Sequence, residues 1–380
     1  MAAPVSGRSV GSGRRAALAA VVLSFFATPC AFAQQGGPAI APSVDSSVTA
    51  IGDVVSADGG GPVAYATVSI DPGRHSRFAD AGGSFSIGHL TARLYRLRVR
   101  QIGFAPVDTL LQLGVPGPVV RIRITLRRIA VKLPAISILA KQECLVTGIP
   151  ESSVDADLSA LFGELRKNID RYRLLVNEYP FIFAREEWRV SRNDVGYERT
   201  LSLDTVAYDI TAMTGHRYRP GSILFTELRR GNIQQIMYLP NFGDLGDSAF
   251  QAAHCFQYVG EDTTGGRPMI RVDFMPAVSI HTPDVEGSVY LDEVSYVVHR
   301  AEFRLTRPSR ASPPVVGVRA TTTFREIVPL VPLFDEVHYF VPAWPNSDAG
   351  IVEVDRLLGF KFSRGAPGSQ SPPLSAAAGG

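Results

Sequence analysis

Cysteine is scarce in this sequence, and the three that occur, Cys30, Cys144 and Cys255, form no CxxC pair. The histidines form no HExxH either, so the spacings that common zinc sites use are missing and no metal or cofactor is expected. Long hydrophobic runs are also lacking. The best of them, Ala16 to Ala27, falls short of the about 20 residues that a bilayer-spanning helix needs. Nor is there an excess of charge of one sign: the formal net charge is +2, and no basic block is interleaved with aromatics, which argues against a nucleic-acid partner. The arginines are instead spaced along alternating runs. Arg96, Arg98 and Arg100 alternate with Leu97 and Val99, and Arg121 and Arg123 with Ile122 and Ile124, which places them on the solvent face of strands.

What is present at the start sets the compartment. Arg8, Arg14 and Arg15 precede the apolar run, and Ala31-Phe32-Ala33 supplies the small residues of a cleavage site, so residues 1–33 are expected to be a signal peptide and the protein to be exported. Pro29 is a poor neighbour for lipid attachment at Cys30, and cleavage after Ala33 is the simpler expectation. Residues 34–46, rich in Gly, Pro and Ala, read as a flexible leader. Export leaves Cys144 and Cys255 in a compartment where disulfides persist, and one bridge between them is expected; the alternative is two separate buried thiols.

Residues 47–140 read as short alternating strands between Gly or Pro turns, with no helix. The clearest element is Asp80-Ala81-Gly82-Gly83-Ser84-Phe85-Ser86-Ile87, a tight turn feeding a strand; with Leu90, Tyr95, Leu97 and Val99 it follows the pattern of a seven-stranded Greek-key β-sandwich. Gly52-Asp53-Val54, Gly61-Pro62-Val63, Ala66-Thr67-Val68, Asp80 with Gly83-Ser84-Phe85, Tyr95-Arg96-Leu97 and Gly103-Phe104 occur in an order that resembles the carboxypeptidase regulatory-like, transthyretin-like domain. That family has Gly where this chain has Leu94. The resemblance implies a sandwich adaptor of the kind found beside peptidases and outer-membrane receptors.

Residues 141–364 read differently. Leu158, Leu161, Phe162, Leu165, Ile169, Tyr172 and Leu175 repeat at helical spacing behind acidic capping residues in Ser153 to Asp157, which predicts one long amphipathic helix. Strand character then recurs at Phe181–Ser191, Tyr197–Ala207, Ile233–Leu239, Phe256–Val259, Met269–Phe274, Gly287–Leu291, Val297–Leu305, Arg319–Ile327, Glu336–Val341 and Val352–Phe362. The economical architecture is mainly β overall: a sandwich followed by an α+β domain with one long helix and an extended antiparallel sheet. Residues 365–380 read as a disordered tail. His254-Cys255-Phe256 and the run Asp284 to Asp292 resemble stretches of exported bacterial proteins that carry the same sandwich in front, and the later strands resemble the curved sheets of periplasmic lipoprotein carriers.

No catalytic set assembles along the chain. His254 beside Cys255 would point to the opposite face of a strand, and a bridged Cys255 is no nucleophile. Asp284 and Glu286 flank Gly287 and read as solvated turn carboxylates, as do Asp292 and Glu293. Trp188, Tyr238, Tyr290 and Trp344 are candidate lining residues of an apolar groove, since strand aromatics can hold a lipid or peptide. The expected function is therefore a non-enzymatic cell-envelope protein of the periplasm or the periplasmic face of the outer membrane. Its partner would be an envelope protein, a lipid or another apolar ligand. The alternatives are a periplasmic carrier or chaperone for lipid, lipoprotein or outer-membrane proteins, and an accessory or cryptic peptidase.

Overall fold

The computed structural model describes residues 47–73, 75–114, 119–130, 143–193, 198–210, 218–229, 232–263, 266–311, 315–342 and 349–363. The expected signal peptide, leader, inter-domain segment after residue 130 and C-terminal tail lie outside these residues. The chain is mainly β, as its alternation predicts. Seven strands come first: β1 (Val48–Ser56), β2 (Thr67–Asp71), β3 (His75–Phe78), β4 (Ser84–Leu90), β5 (Leu94–Arg100), β6 (Val107–Gln112) and β7 (Val119–Leu126). They form two sheets, ordered β4-β1-β7 and β3-β2-β5-β6, with β1 and β7 parallel. Alternate residues Phe85, Ile87, Tyr95, Leu97 and Val99 fill the space between the sheets. In the turn before β4, Gly83 takes φ +77° and the Asp80 carboxylate accepts from the N–H groups of Gly82 and Ser84. A side chain at Gly83 would meet the carbonyl of Val54 at 2.5 Å, so the turn needs glycine twice over.

The second domain opens with α1 (Ala156–Glu178), capped by Asp155, whose carboxylate accepts from Leu158 N. Eleven strands follow: β8 (Phe181–Asn193), β9 (Glu198–Asp209), β10 (Leu224–Arg229), β11 (Asn232–Met237), β12 (His254–Asp262), β13 (Met269–Pro276), β14 (Val285–Asp292), β15 (Val298–Leu305), β16 (Arg319–Val328), β17 (Val331–Val341) and β18 (Ala349–Phe362). A short helix, α2 (Ser248–Ala253), precedes β12. Nine of these strands make one antiparallel sheet in the order β12-β13-β14-β15-β16-β17-β18-β8-β9, and β10 pairs with β11 as a separate hairpin.

The apolar stripe of α1 is buried against this sheet. Leu161, Phe162, Leu165, Ile169, Tyr172 and Leu175 share a core with Phe181, Phe183, Val289, Leu291, Phe303 and Leu333. Phe78 and Ile102 of the sandwich belong to the same core, so the two domains are joined by packing. Cys144 and Cys255 form the expected disulfide. It ties the segment before α1 to β12, and Gly148 N donates to His254 O beside it. Gly287 is not a turn residue. It lies inside β14, where a Cβ would stand 1.8 Å from the carbonyl oxygen of Glu302 on β15, so glycine is required there by close backbone approach.

Candidate functional site

A second stripe of α1, polar in sequence, is buried as thoroughly as the apolar one. Glu164, Lys167, Asn168 and Arg171 recur at helical spacing on the side of α1 that meets the sandwich and the sheet turns. The Glu164 carboxylate accepts from Gly103 N at 2.8 Å and from Lys167 Nζ at 2.5 Å, and Lys167 also donates to the Phe104 carbonyl. Asn168 donates to Tyr296 O and accepts from Val298 N, which fixes α1 to the turn between β14 and β15. Arg171 is only 1% exposed. Its guanidinium donates to Gln101 Oε1 and Tyr65 O of the sandwich, and to Pro329 O and Leu330 O of the turn between β16 and β17. Burial pulls its pKa down to about 9, which still leaves it charged at neutral pH.

Next to this stripe lies a cleft of about 660 Å³. Sandwich strands β2, β3 and β5 supply one wall and the C-terminal half of α1 the other. The walls are joined by an ion pair of Arg100 Nη1 with Asp170 Oδ2 at 3.1 Å and by another of Arg77 with Glu178. Arg98 and Arg100 do point away from the sandwich core, as their alternation predicts, but they face α1 across this cleft.

The sheet domain holds a second charged cluster where β8, β9, β17 and β18 adjoin. Arg185 pairs with Glu187 at 2.6 Å and with Asp355 at 3.1 Å, Arg189 pairs with Glu353, and the Tyr208 hydroxyl donates to Glu187. Asp355 is 3% exposed, and burial pushes its carboxyl up to about 6 against the pull of Arg185.

Residues singled out from sequence have been placed apart. Tyr290 does not line an apolar groove: it lies on the polar face of β14, with the Arg300 guanidinium 3.8 Å from its ring centroid, and its hydroxyl donates to Glu302. Tyr238 donates to Asp244 at 3.0 Å beside α2, and that carboxylate also accepts from Asn241 N. Trp188 lies on β8, opposite Leu203 of β9 and five places along the sheet from β14. Trp344 lies outside the described residues. The reason sequence misplaces Tyr290 is physical: an aromatic on a strand looks the same whether it packs on carbon or on guanidinium.

The residues with chemical potential are held in structural bonds. His254 is fully buried; Nδ1 is 2.8 Å from Phe250 O and Nε2 3.0 Å from Val285 O, and burial pulls its pKa below the ordinary histidine range. Asp284, also fully buried, accepts from Tyr218 OH, Gly221 N and Val285 N, so it is a buried structural carboxylate and not the solvated one expected. Glu286 pairs with Arg304. Among the described residues, no group of three or more His, Cys, Asp or Glu is placed to hold a metal ion.

Residues 50–127 match the family model of the Carboxypeptidase regulatory-like domain. No curated protein matches the chain. Among solved structures, the chain is similar to a domain described as that of an outer membrane lipoprotein-sorting protein from Vibrio parahaemolyticus, at 12% identity and TM-score 0.29, over 54% of this chain and 92% of that one. It is also similar to a DUF1329 family protein from Desulfovibrio piger, at 10% identity and TM-score 0.28, over 54% and 93%. A third likeness is to the MucA/MucB complex of Pseudomonas aeruginosa, at 9% identity and TM-score 0.15, over 50% and 93%. The sandwich that walls the cleft is thus a carboxypeptidase regulatory-like domain, carried in front of a helix-on-sheet domain.

Proposed function

We propose that this chain is a non-enzymatic binding module of the cell envelope, exported to the periplasm or the periplasmic face of the outer membrane, whose sheet domain takes up an extended segment of an envelope protein along β9. One observation carries the reading. β9 is twelve residues long and, among the described residues, pairs with β8 on one side only. A strand with a bare edge presents backbone donors and acceptors to an incoming chain, and pockets for alternate side chains then supply selectivity. Leu203 is 59% exposed and Leu201 48%, and Leu203 lies opposite Trp188, so the edge offers apolar contacts as well. The non-enzymatic character rests on the bonds just described, in which Cys255, His254, Asp284 and Glu286 are all held by structural partners.

The test places a photo-crosslinking residue at Leu203 in the full chain, with Leu110 of the sandwich, 66% exposed, as a control. The expected product is one defined segment of an envelope protein joined through position 203 and lost when Leu201→Lys sets a charge beside it. Equal products from positions 203 and 110 refute the reading. A carrier for lipid or lipoprotein is the second reading, favoured by the aromatic lining of the sheet face, Phe181, Phe183, Phe334 and Phe360. Because α1 lies on that face, loading would require α1 to leave it. Solvent extraction of the exported protein tests this: lipid at about one per chain supports the carrier, and none rejects it.

A further inference from the structure

We infer that the cleft between the sandwich and α1 is a binding site for a phosphate group. This goes beyond the β9 reading and does not depend on it. Val68 and Ile70 fill the sandwich core, so Thr67 and Ser69, which alternate with them, face outward into the cleft. Ser76 Oγ donates to Ser69 Oγ at 2.9 Å, which makes a floor of hydroxyls. Arg100 and Arg98 are the cross-strand partners of Thr67 and Ser69 and rise beside that floor. From the opposite wall α1 presents Arg173; Lys167 borders the cleft, but its ammonium is held by Glu164 and the Phe104 carbonyl.

Five cationic side chains line the cleft; Lys167 and Arg171 are taken up by the structural bonds described above, which leaves Arg98, Arg100 and Arg173 to meet a ligand. A guanidinium has five N–H donors. Arg98 gives one to Asp71 and one to Asp108, Arg100 gives one to Asp170, and Arg173 gives one to the Gly243 carbonyl at 2.8 Å, so each keeps donors for a ligand. Donors approaching from two walls and a floor suit an anion that accepts in tetrahedral directions. A carboxylate, with two oxygens in one plane, would satisfy one wall only. The cavity is also larger than a bare phosphate needs, which leaves room for the sugar or glycerol that carries it.

The experiment uses the full chain. It is titrated calorimetrically with inorganic phosphate at ionic strength fixed by chloride, and sedimented with phosphatidylcholine vesicles with and without phosphatidic acid. Saturable binding of phosphate, of phosphatidic acid vesicles, or of both supports the site. Phosphate alone points to a soluble phosphate or phospho-sugar, and vesicles alone to a lipid headgroup. Arg98→Gln with Arg173→Gln should weaken that binding at least tenfold, whereas Arg121→Gln with Arg123→Gln, on the other sandwich sheet, should leave it unchanged. Ser69→Asp, which sets a carboxylate on the floor, gives the same loss by a change that keeps every arginine. No binding of either probe, or equal loss in the two arginine pairs, overturns the inference.

Discussion

Arg171 offers the sharpest test of how the two domains are held together. Replacing it with Met keeps most of the aliphatic volume and removes the guanidinium. Four acceptors, Tyr65 O, Gln101 Oε1, Pro329 O and Leu330 O, then lose their donor inside a buried interface. At about 1 kcal/mol or more for each stranded acceptor the loss is about 4 kcal/mol. The gain opposing it is relief from burying a cation, because no carboxylate touches this guanidinium and only the more distant Glu326 favours its charge. A net loss of about 3 kcal/mol is expected. With a urea slope of about 2 kcal/mol per molar, the midpoint falls by about 1.5 M. The assay has a built-in domain reporter: both tryptophans, Trp188 and Trp344, follow residue 140, so their fluorescence follows the sheet domain while far-UV circular dichroism follows both. In the native chain the two transitions should coincide, and in Arg171→Met they should separate, since the sandwich loses its bonds from Tyr65 O and Gln101 Oε1 to α1. Arg171→Lys keeps the charge but not the fork, and should fall between. A Met variant as stable as the parent, with coincident transitions, would show that desolvation outweighs the four bonds and that the domains are joined without Arg171.

Three further outcomes are expected. The Asp355 carboxyl is raised to about 6 in the fold from 3.8, so the folded state binds the extra proton between those values. Its contribution is full below about pH 4 and is lost as pH rises through about 6, a change of about 3 kcal/mol; Asp355→Asn should flatten unfolding curves measured across that window. Gly287→Ala forces β14 from β15, because the new Cβ would meet Glu302 O at 1.8 Å, and should cost about 3 kcal/mol or more in urea melts. Mass spectrometry without reductant should find Cys144 and Cys255 joined. They are separated by 111 residues, and reduction should lower stability by about 4 kcal/mol or more, with unchanged melts refuting that role.

Alternation made the sandwich legible, since Tyr95, Leu97 and Val99 face one side only and Asp80 with Gly83 marks the turn before them. The apolar stripe of α1 was legible for the same reason, and so was the disulfide, from the two cysteines that lie beyond the expected signal peptide. The polar stripe was not. Glu164, Lys167, Asn168 and Arg171 have the composition of a solvated helix face, and periodicity records which residues dislike water, not which find partners away from it. The cleft escaped for a related reason. Arg98 and Arg100 alternate as surface residues do, and only the packing of α1 across them turns a sandwich surface into a wall. Gly287 was read as a turn because glycine has two uses in a sheet, and sequence does not separate a bend from a close approach.

The strand order of the large sheet carries a lesson about assembly. β18, the last of the described strands, lies between β17 and β8, so among the described residues the β8–β9 hairpin reaches the rest of the sheet through it. As the chain is synthesised, α1 and this hairpin appear early and wait while some 140 further residues are delivered. Throughout that interval the hairpin has two open edges and Phe183 lacks its contact with Phe334. The protein is thus most exposed to mispairing during its own synthesis, and a nascent chain halted before residue 349 would present β8 itself as a vacant edge.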